Sequence, residues 1–315
     1  MHPAYSVIFF TTASGAGYGL LAWLAVATLA GWLLPHQTFG ILTIGLSLAM
    51  IGGGLLSSMA HLGHPERAWR AFSQWRSSWL SREGVASVVS FMPALVFAWG
   101  WIVEGRADGI FAVAAVLSIV MAIITVFCTA MIYRSLKTVH QWCNAYVVPN
   151  YIALSAMTGI IWLTALSHIY GAVGRDMSIA VMVCIIVGYF VRRRYWHFID
   201  TTQSAATPES ATGLGHLGTV THFEGPHTEA NYLMKEMGFQ VARTHAAKLR
   251  RICIMALFLF PAILSVIAAS SPGPLGMVAA FAAALSASLG VVVERWLFFA
   301  EAKHVVMLYY GAKAA

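Results

Sequence analysis

A chain of 315 residues in which 59% of side chains are hydrophobic and 10% charged lies far below the roughly 25% charge of a soluble domain. Several of its apolar runs reach the roughly 20 residues that cross a bilayer, and in lipid such runs must be helices, because every backbone polar group has to be satisfied within its own segment. The net charge of +7 does not mark a nucleic-acid-binding protein: the basic residues are confined to alternate loops, which is a pattern of membrane orientation.

In chain order, spans are predicted at 5–33, 38–60, 84–104, 110–133, 147–170, 177–192, 252–271 and 275–299. The expected fold is therefore all-α, a polytopic bundle of eight transmembrane helices forming a single membrane domain over residues 1–315. The opening segment has no basic stretch and too long an apolar run for a signal peptide, so it stays as the first span. Gly15-Ala-Gly-Tyr-Gly19 and Gly52-Gly-Gly54 fall inside spans. They suit close helix packing, not phosphate binding, which would need a strand before and a helix after. The sixth span is short, and Tyr195 and Trp196 extend it at the interface. Ser-Pro-Gly-Pro at 271–274 makes a tight turn between the last two.

Seventeen of the 19 Lys and Arg residues fall on one side of this arrangement, and only Arg106 and Arg175 fall on the other. Under the positive-inside rule the rich side is cytoplasmic, and an even number of spans then places both termini there. Two segments on that side stand out. Loop 61–83 opens His61-Leu-Gly-His64-Pro-Glu-Arg67-Ala-Trp69-Arg70. Pro65 fits the first turn of a helix, and Trp69, Phe72, Trp75 and Trp79 recur at spacings of three and four, an amphipathic face. This segment is either an interfacial helix with an aromatic belt or the cover of a pocket between spans two and three. Segment 193–251 is loop-like from Thr201 to Gly218. Its second half reads as a helix capped by Thr228, with a weak apolar stripe of Leu233, Met237, Val241 and Ala247. Such a helix lies on lipid or docks a soluble partner.

Ionisable residues within spans are costly, so each is a functional candidate. His61 ends the second span and Glu83 begins the third; Glu294 and Arg295 lie near the end of the eighth, with Glu301 seven residues after Glu294 on the same helix face. A quinone that accepts two electrons also takes two protons, so its carbonyls need titratable hydrogen-bonding groups at a depth reachable from water. A histidine and a carboxylate at a membrane boundary suit that role. The structural alternative is that His61 caps a helix and Glu83 pairs with a loop arginine. Haem would need axial histidines inside spans, and the 12 histidines lie almost entirely in loops and at helix ends. The four cysteines form no CxxC, so no metal or iron–sulfur site is expected here.

The string Ser58-Met-Ala-His61-Leu-Gly-His64-Pro-Glu-Arg67-Ala-Trp69, with Leu80-Ser-Arg-Glu83-Gly-Val-Ala-Ser87 and Tyr133-Arg-Ser-Leu-Lys-Thr138, resembles the dimethyl sulfoxide reductase membrane-anchor family. Tyr195-Trp-His-Phe-Ile-Asp200, Ser210-Ala-Thr-Gly-Leu-Gly215, Asn231-Tyr-Leu233 and Glu294-Arg-Trp-Leu-Phe-Phe-Ala-Glu-Ala-Lys-His304 resemble the branch that serves cytoplasmic membrane-bound sulfite dehydrogenases. The resemblance spans essentially the whole sequence. It implies a haem-free anchor that exchanges electrons with ubiquinone or menaquinone. Its implied partners are an iron–sulfur subunit and a molybdopterin catalytic subunit, which holds a molybdenum bis(pterin guanine dinucleotide) centre. Carried onto this sequence, it implies quinone binding by His61 and Glu83. His64, Arg67 and Trp69 of the same loop are expected to complete the quinone-binding site. Arg70, Arg76, Arg82, Arg134 and Lys137 are the expected docking residues, and Glu294, Arg295 and Glu301 are expected as structural intramembrane charges.

With the His61 loop on the cytoplasmic side of a bacterial inner membrane, the soluble partners belong there too, and electrons flow from them to quinone. A quinol-oxidising reductase anchor would instead be encoded beside a catalytic subunit with a twin-arginine signal. A transporter would carry polar residues near the midplane and broken helices, whereas the charges here cluster at one edge. A third alternative is a purely structural anchor.

Overall fold

The computed structural model describes residues 3–60, 64–225, 227, 229, 231–238, 241–271 and 273–312, with the side chains of 241–244 outside that description. His61 and Thr228, both singled out in the sequence, also lie outside the described residues. The architecture is all-α. Helix α1 (Tyr5–Leu29) runs through the centre, with Leu20, Leu21 and Leu24 fully buried. Around it stand α2 (Gln37–Met59), α4 (Ile110–Arg134), α5 (Val147–Ile169) and α11 (Pro274–Ala300), while α3 (Trp79–Trp99) packs on α4.

Small residues set these distances. A Cβ on Gly19 would run into the backbone of Ser155 on α5, and one on Gly159 would run into the backbone of Gly19 and Leu20, so α1 and α5 cross glycine against glycine. Gly17 and Gly54 do the same work between α1 and α2. Gly15, Gly52 and Gly53, which share the expected packing motif, face open space instead. The crossings are tied by hydrogen bonds from Ser155 Oγ to Gly15 O (2.5 Å), Ser47 Oγ to Gly17 O (2.9 Å) and Trp23 Nε1 to Ala156 O (2.9 Å).

Seven helices among the described residues are long and apolar enough to span a membrane: α1, α2, α3 with its extension to Glu104, α4, α5, a helix over His245–Ser270, and α11. The sixth of these joins α9 (Val241–Ile254), a π turn at Met255–Leu259 and α10 (Phe260–Ser270). Helix α6 (Arg175–Thr201) has 27 residues, about 40 Å at 1.5 Å per residue, but charges near both ends keep it out of that set. It is much longer than the predicted 177–192 and absorbs Tyr195 and Trp196. The third span also starts earlier than predicted. Ser78 caps α3 by accepting from Ser81 N (3.4 Å), so Glu83 sits a turn inside the helix, not at its start. Polar Ser81, Arg82 and Glu83 hid this start from a hydropathy reading. At the other end, α3 widens into a π turn at Gly100–Glu104 closed by Gly105 at φ 64°.

Segment 65–74 forms a 3-10 helix with no buried residue, and Trp79 belongs to α3. Among its described residues, segment 202–240 holds two short α-helices, α7 (Pro208–Thr212) and α8 (Tyr232–Met237), the second capped by Asn231, with a 3-10 turn at Gly215–Leu217 between them. After α11 the backbone returns across loop 135–146: Val139 and His304 form an antiparallel bridge, and Val305 N donates to Thr138 O (3.0 Å).

Candidate functional site

One end of the bundle gathers the polar chemistry. It is shared by the starts of α1, α3 and α5 and the ends of α2, α4 and α11. Glu83, on the second turn of α3, is 5% exposed, and its Oε1 accepts from Thr129 Oγ1 on α4 (3.3 Å). Among the described residues no cation lies within ion-pair distance of it. The alternative in which Glu83 pairs with a loop arginine is therefore not what forms: Arg82 points back, donating to Trp75 O (2.9 Å) and Arg76 O (2.6 Å) and stacking on Trp79 at 4.3 Å. Below Glu83, Ser90 and Tyr18 meet (3.1 Å), which continues the polar lining from α3 to α1. Helices α2 and α3 hardly touch; at the opposite end Phe39 and Gly40 meet Trp101 and Ile102 of the π turn that follows α3.

None of the described residues from His64 to Leu80 is buried. His64 pairs with Glu66 (3.0 Å), Arg67 approaches the same carboxylate (3.7 Å), and Trp69 is 66% exposed. Arg70 and Arg76 lie over Trp69 and Trp75 at 5.6 and 5.5 Å. Phe72 leans on Gly84 and seats the segment on α3. Arg134 and Lys137 are exposed at the end of α4. These basic and aromatic side chains form a surface at the same end of the molecule as Glu83.

The second centre is an ion cluster. Glu294 pairs with Arg192 of α6, both wholly buried, and with Arg295 Nη1 (2.8 Å). Asn150 Nδ2 reaches Glu294 at 3.5 Å, and the Arg295 guanidinium lies 3.6 Å from the centre of the Tyr151 ring. Glu301 pairs with Arg250 (2.8 Å), which also holds Asp200 (2.7 Å). Trp196 is flanked by two guanidiniums, Arg192 at 4.5 Å and Arg250 at 5.5 Å. Glu294, Arg295 and Glu301 were legible from the sequence as costly intramembrane charges. Arg192 and Arg250 were not, since each reads as one of a run of loop cations. The available signal was arithmetic: two buried carboxylates at the end of α11 require cations from elsewhere. Around the cluster, Tyr133, Trp142, Tyr151, Tyr195 and Phe298 pack ring on ring, and Trp142 Nε1 donates to Phe298 O (2.9 Å).

Fold and site thus define a polytopic membrane bundle in which, among the described residues, the buried Glu83 carboxyl has no cation partner and Glu294 is clamped in an ion cluster, beneath a basic, aromatic surface. The sequence matches the DMSO reductase anchor subunit (DmsC) family over residues 1–300, and the protein belongs to that family. It is 32% identical over 336 residues to a sulfite dehydrogenase subunit of Allochromatium vinosum, with the whole of both sequences matched. It is 23% identical over 192 residues to a polypeptide of the anaerobic dimethyl sulfoxide reductase of Escherichia coli, with 58% of this sequence and 66% of that one matched. No solved structure matches it. It is a multi-pass protein of the bacterial inner membrane and, as a family member, an anchor subunit of a membrane oxidoreductase complex.

Proposed function

We propose that this protein is the quinone-reactive anchor of a molybdopterin sulfite dehydrogenase, passing electrons from a partner iron–sulfur subunit to the quinone pool. The observation that carries the reading is Glu83: a carboxyl buried one turn inside α3, holding one hydroxyl donor and, among the described residues, no cation. A carboxyl in that setting can exchange a proton with a bound quinone carbonyl, as the clamped Glu294 cannot. Helices α2 and α3 make little contact with each other, and the quinone enters from lipid between them in this reading. His61 is the expected second hydrogen-bonding group. His64, Arg67 and Trp69 border the site from the surface loop.

Full-length similarity to a sulfite dehydrogenase subunit supports the sulfite branch over the shorter and weaker likeness to the dimethyl sulfoxide reductase polypeptide. Helix α6 serves as an eighth span: Ile179, Val183, Ile186, Val187 and Phe190 are exposed along it, as on a lipid-facing helix. Eight spans and the distribution of Lys and Arg put both termini, loop 61–83 and segment 193–251 in the cytoplasm. The iron–sulfur subunit then docks over Arg70, Arg76, Arg82, Arg134 and Lys137 and over segment 193–251. The molybdenum subunit lies beyond it.

The test is quinone reduction by the intact complex. Glu83→Gln and His61→Ala are expected to lower it by about a hundredfold, within the usual range for a lost acid–base group. Sulfite oxidation with a soluble artificial acceptor should persist. Wild-type quinone turnover in both variants would sink the site assignment. A purified complex that oxidises no sulfite would sink the choice of branch.

A further inference from the structure

Between α1, α4, α5 and α11 lies a cavity of about 10 Å³, about the space that one water needs. Its wall is polar. Three of its hydroxyls give their protons to backbone carbonyls: Thr11 to Val7 O (2.9 Å), Ser155 to Gly15 O (2.5 Å) and Thr158 to Leu154 O (2.8 Å). Their oxygens therefore offer the cavity only lone pairs. Two groups offer protons. Among the described residues Tyr151 OH makes no hydrogen bond although the residue is 3% exposed, and Arg295 Nε makes none although that residue is 2% exposed. A small, partly open site lined by residues with surplus acceptors and unpartnered donors matches a water, which gives two hydrogen bonds and takes two. A cation is disfavoured beside the Arg295 guanidinium.

Thr129 also lines this cavity, and it is the residue whose hydroxyl reaches Glu83. Its proton has two acceptors, Glu83 Oε1 at 3.3 Å and Thr125 O at 3.0 Å. A water against Thr129 Oγ1 would complete a short line of O–H groups ending on the carboxyl.

We propose that this cavity holds an ordered water, and that this water and Thr129 are the last two members of the proton route to Glu83. The second part rests on Glu83 being the carboxyl of the quinone site. When Glu83 gives its proton to the quinone oxygen, Thr129 passes its hydroxyl proton to Oε1 and takes one from the water, which takes a replacement from solvent. Only O–H bonds form and break, and one proton enters for each that leaves. The electrons arrive separately from the partner subunit. Tyr151 and Arg295 are positioning residues that hold the water.

The experiment follows reoxidation of the dithionite-reduced complex by decylubiquinone, in H2O and D2O. Thr129→Val keeps the side-chain shape without the hydroxyl. It is expected to slow reoxidation by about tenfold or more, with binding of decylubiquinone unchanged, while Thr129→Ser restores the rate. Tyr151→Phe should slow reoxidation likewise and change its solvent isotope effect. Thr129→Val at the wild-type rate and isotope effect, with Glu83→Gln inactive, overturns the relay and leaves the quinone site standing. Glu83→Gln at the wild-type rate overturns the quinone reading itself. Where Thr129→Val does not assemble, high-resolution density decides: a water bonded to Thr129 and Tyr151 is expected, and a dry cavity overturns the proposal.

Discussion

Arg192 and Glu294 sit at 0% side-chain exposure, with Arg295 at 3% beside them. Burying such charges is expensive, and the wider cluster stands because its three guanidiniums (Arg192, Arg250 and Arg295) balance its three carboxylates (Asp200, Glu294 and Glu301); removing Arg192 leaves the carboxylates in excess in a low-dielectric interior. Arg192→Met is therefore expected to destabilise the protein by about 3–5 kcal/mol, read as a drop in Tm of the detergent-solubilised complex. Replacing Arg192, Glu294 and Arg295 together with apolar residues should recover much of that loss, because the desolvation cost disappears along with the attraction. A triple variant no more stable than Arg192→Met would show that the cluster contributes by attraction rather than by mutual neutralisation. Glu83 is the opposite case. Among the described residues no guanidinium holds it, and this difference, invisible in a list of acidic residues, separates the candidate reactive carboxyl from the structural ones.

Among elements, the α1–α5 crossing is the tightest. Gly19→Ala should cost about 1–3 kcal/mol, the usual range for overpacking, because the new methyl would meet backbone of Ser155 that cannot rotate away. Gly15→Ala, one turn earlier and facing open space, should stay within about 0.5 kcal/mol. Equal effects in thermal unfolding would refute the contact. The clip after α11 responds to pH instead. Burial lowers the His304 ring below the ordinary histidine range, and its Nδ1 accepts from Val306 N (3.0 Å), which requires the neutral ring. A depressed folded value means that the clip's stability is present above the ordinary histidine range and is lost as pH falls through the folded value. Amide exchange at Val305 and Val306 should accelerate on acidification, and His304→Asn should flatten that dependence.

For the whole molecule, the decisive quantity is which face meets the cytoplasm. With 17 of 19 basic residues assigned to one face by the eight-span reading, a reporter fused after Ala315 should be active in the cytoplasm. A cysteine at Asp108 should be labelled from the periplasm, and one at Arg70 only after permeabilisation. The reverse labelling pattern would overturn the orientation and, with it, a cytoplasmic proton source. The reporter also tests α6, because losing that helix as a span would move the C-terminus across the membrane while leaving loop 61–83 in place.

Composition and apolar run length settled the class, because a bilayer admits few solutions for a long apolar segment. The His-Leu-Gly and Ser-Arg-Glu strings pointed to the family because they are local in sequence. Arg192 with Glu294, Arg250 with Glu301, and the Thr129 hydroxyl on Glu83 were decided only by tertiary structure. Each joins residues on different helices, and a single sequence records the cost of a buried charge without recording which distant side chain meets it.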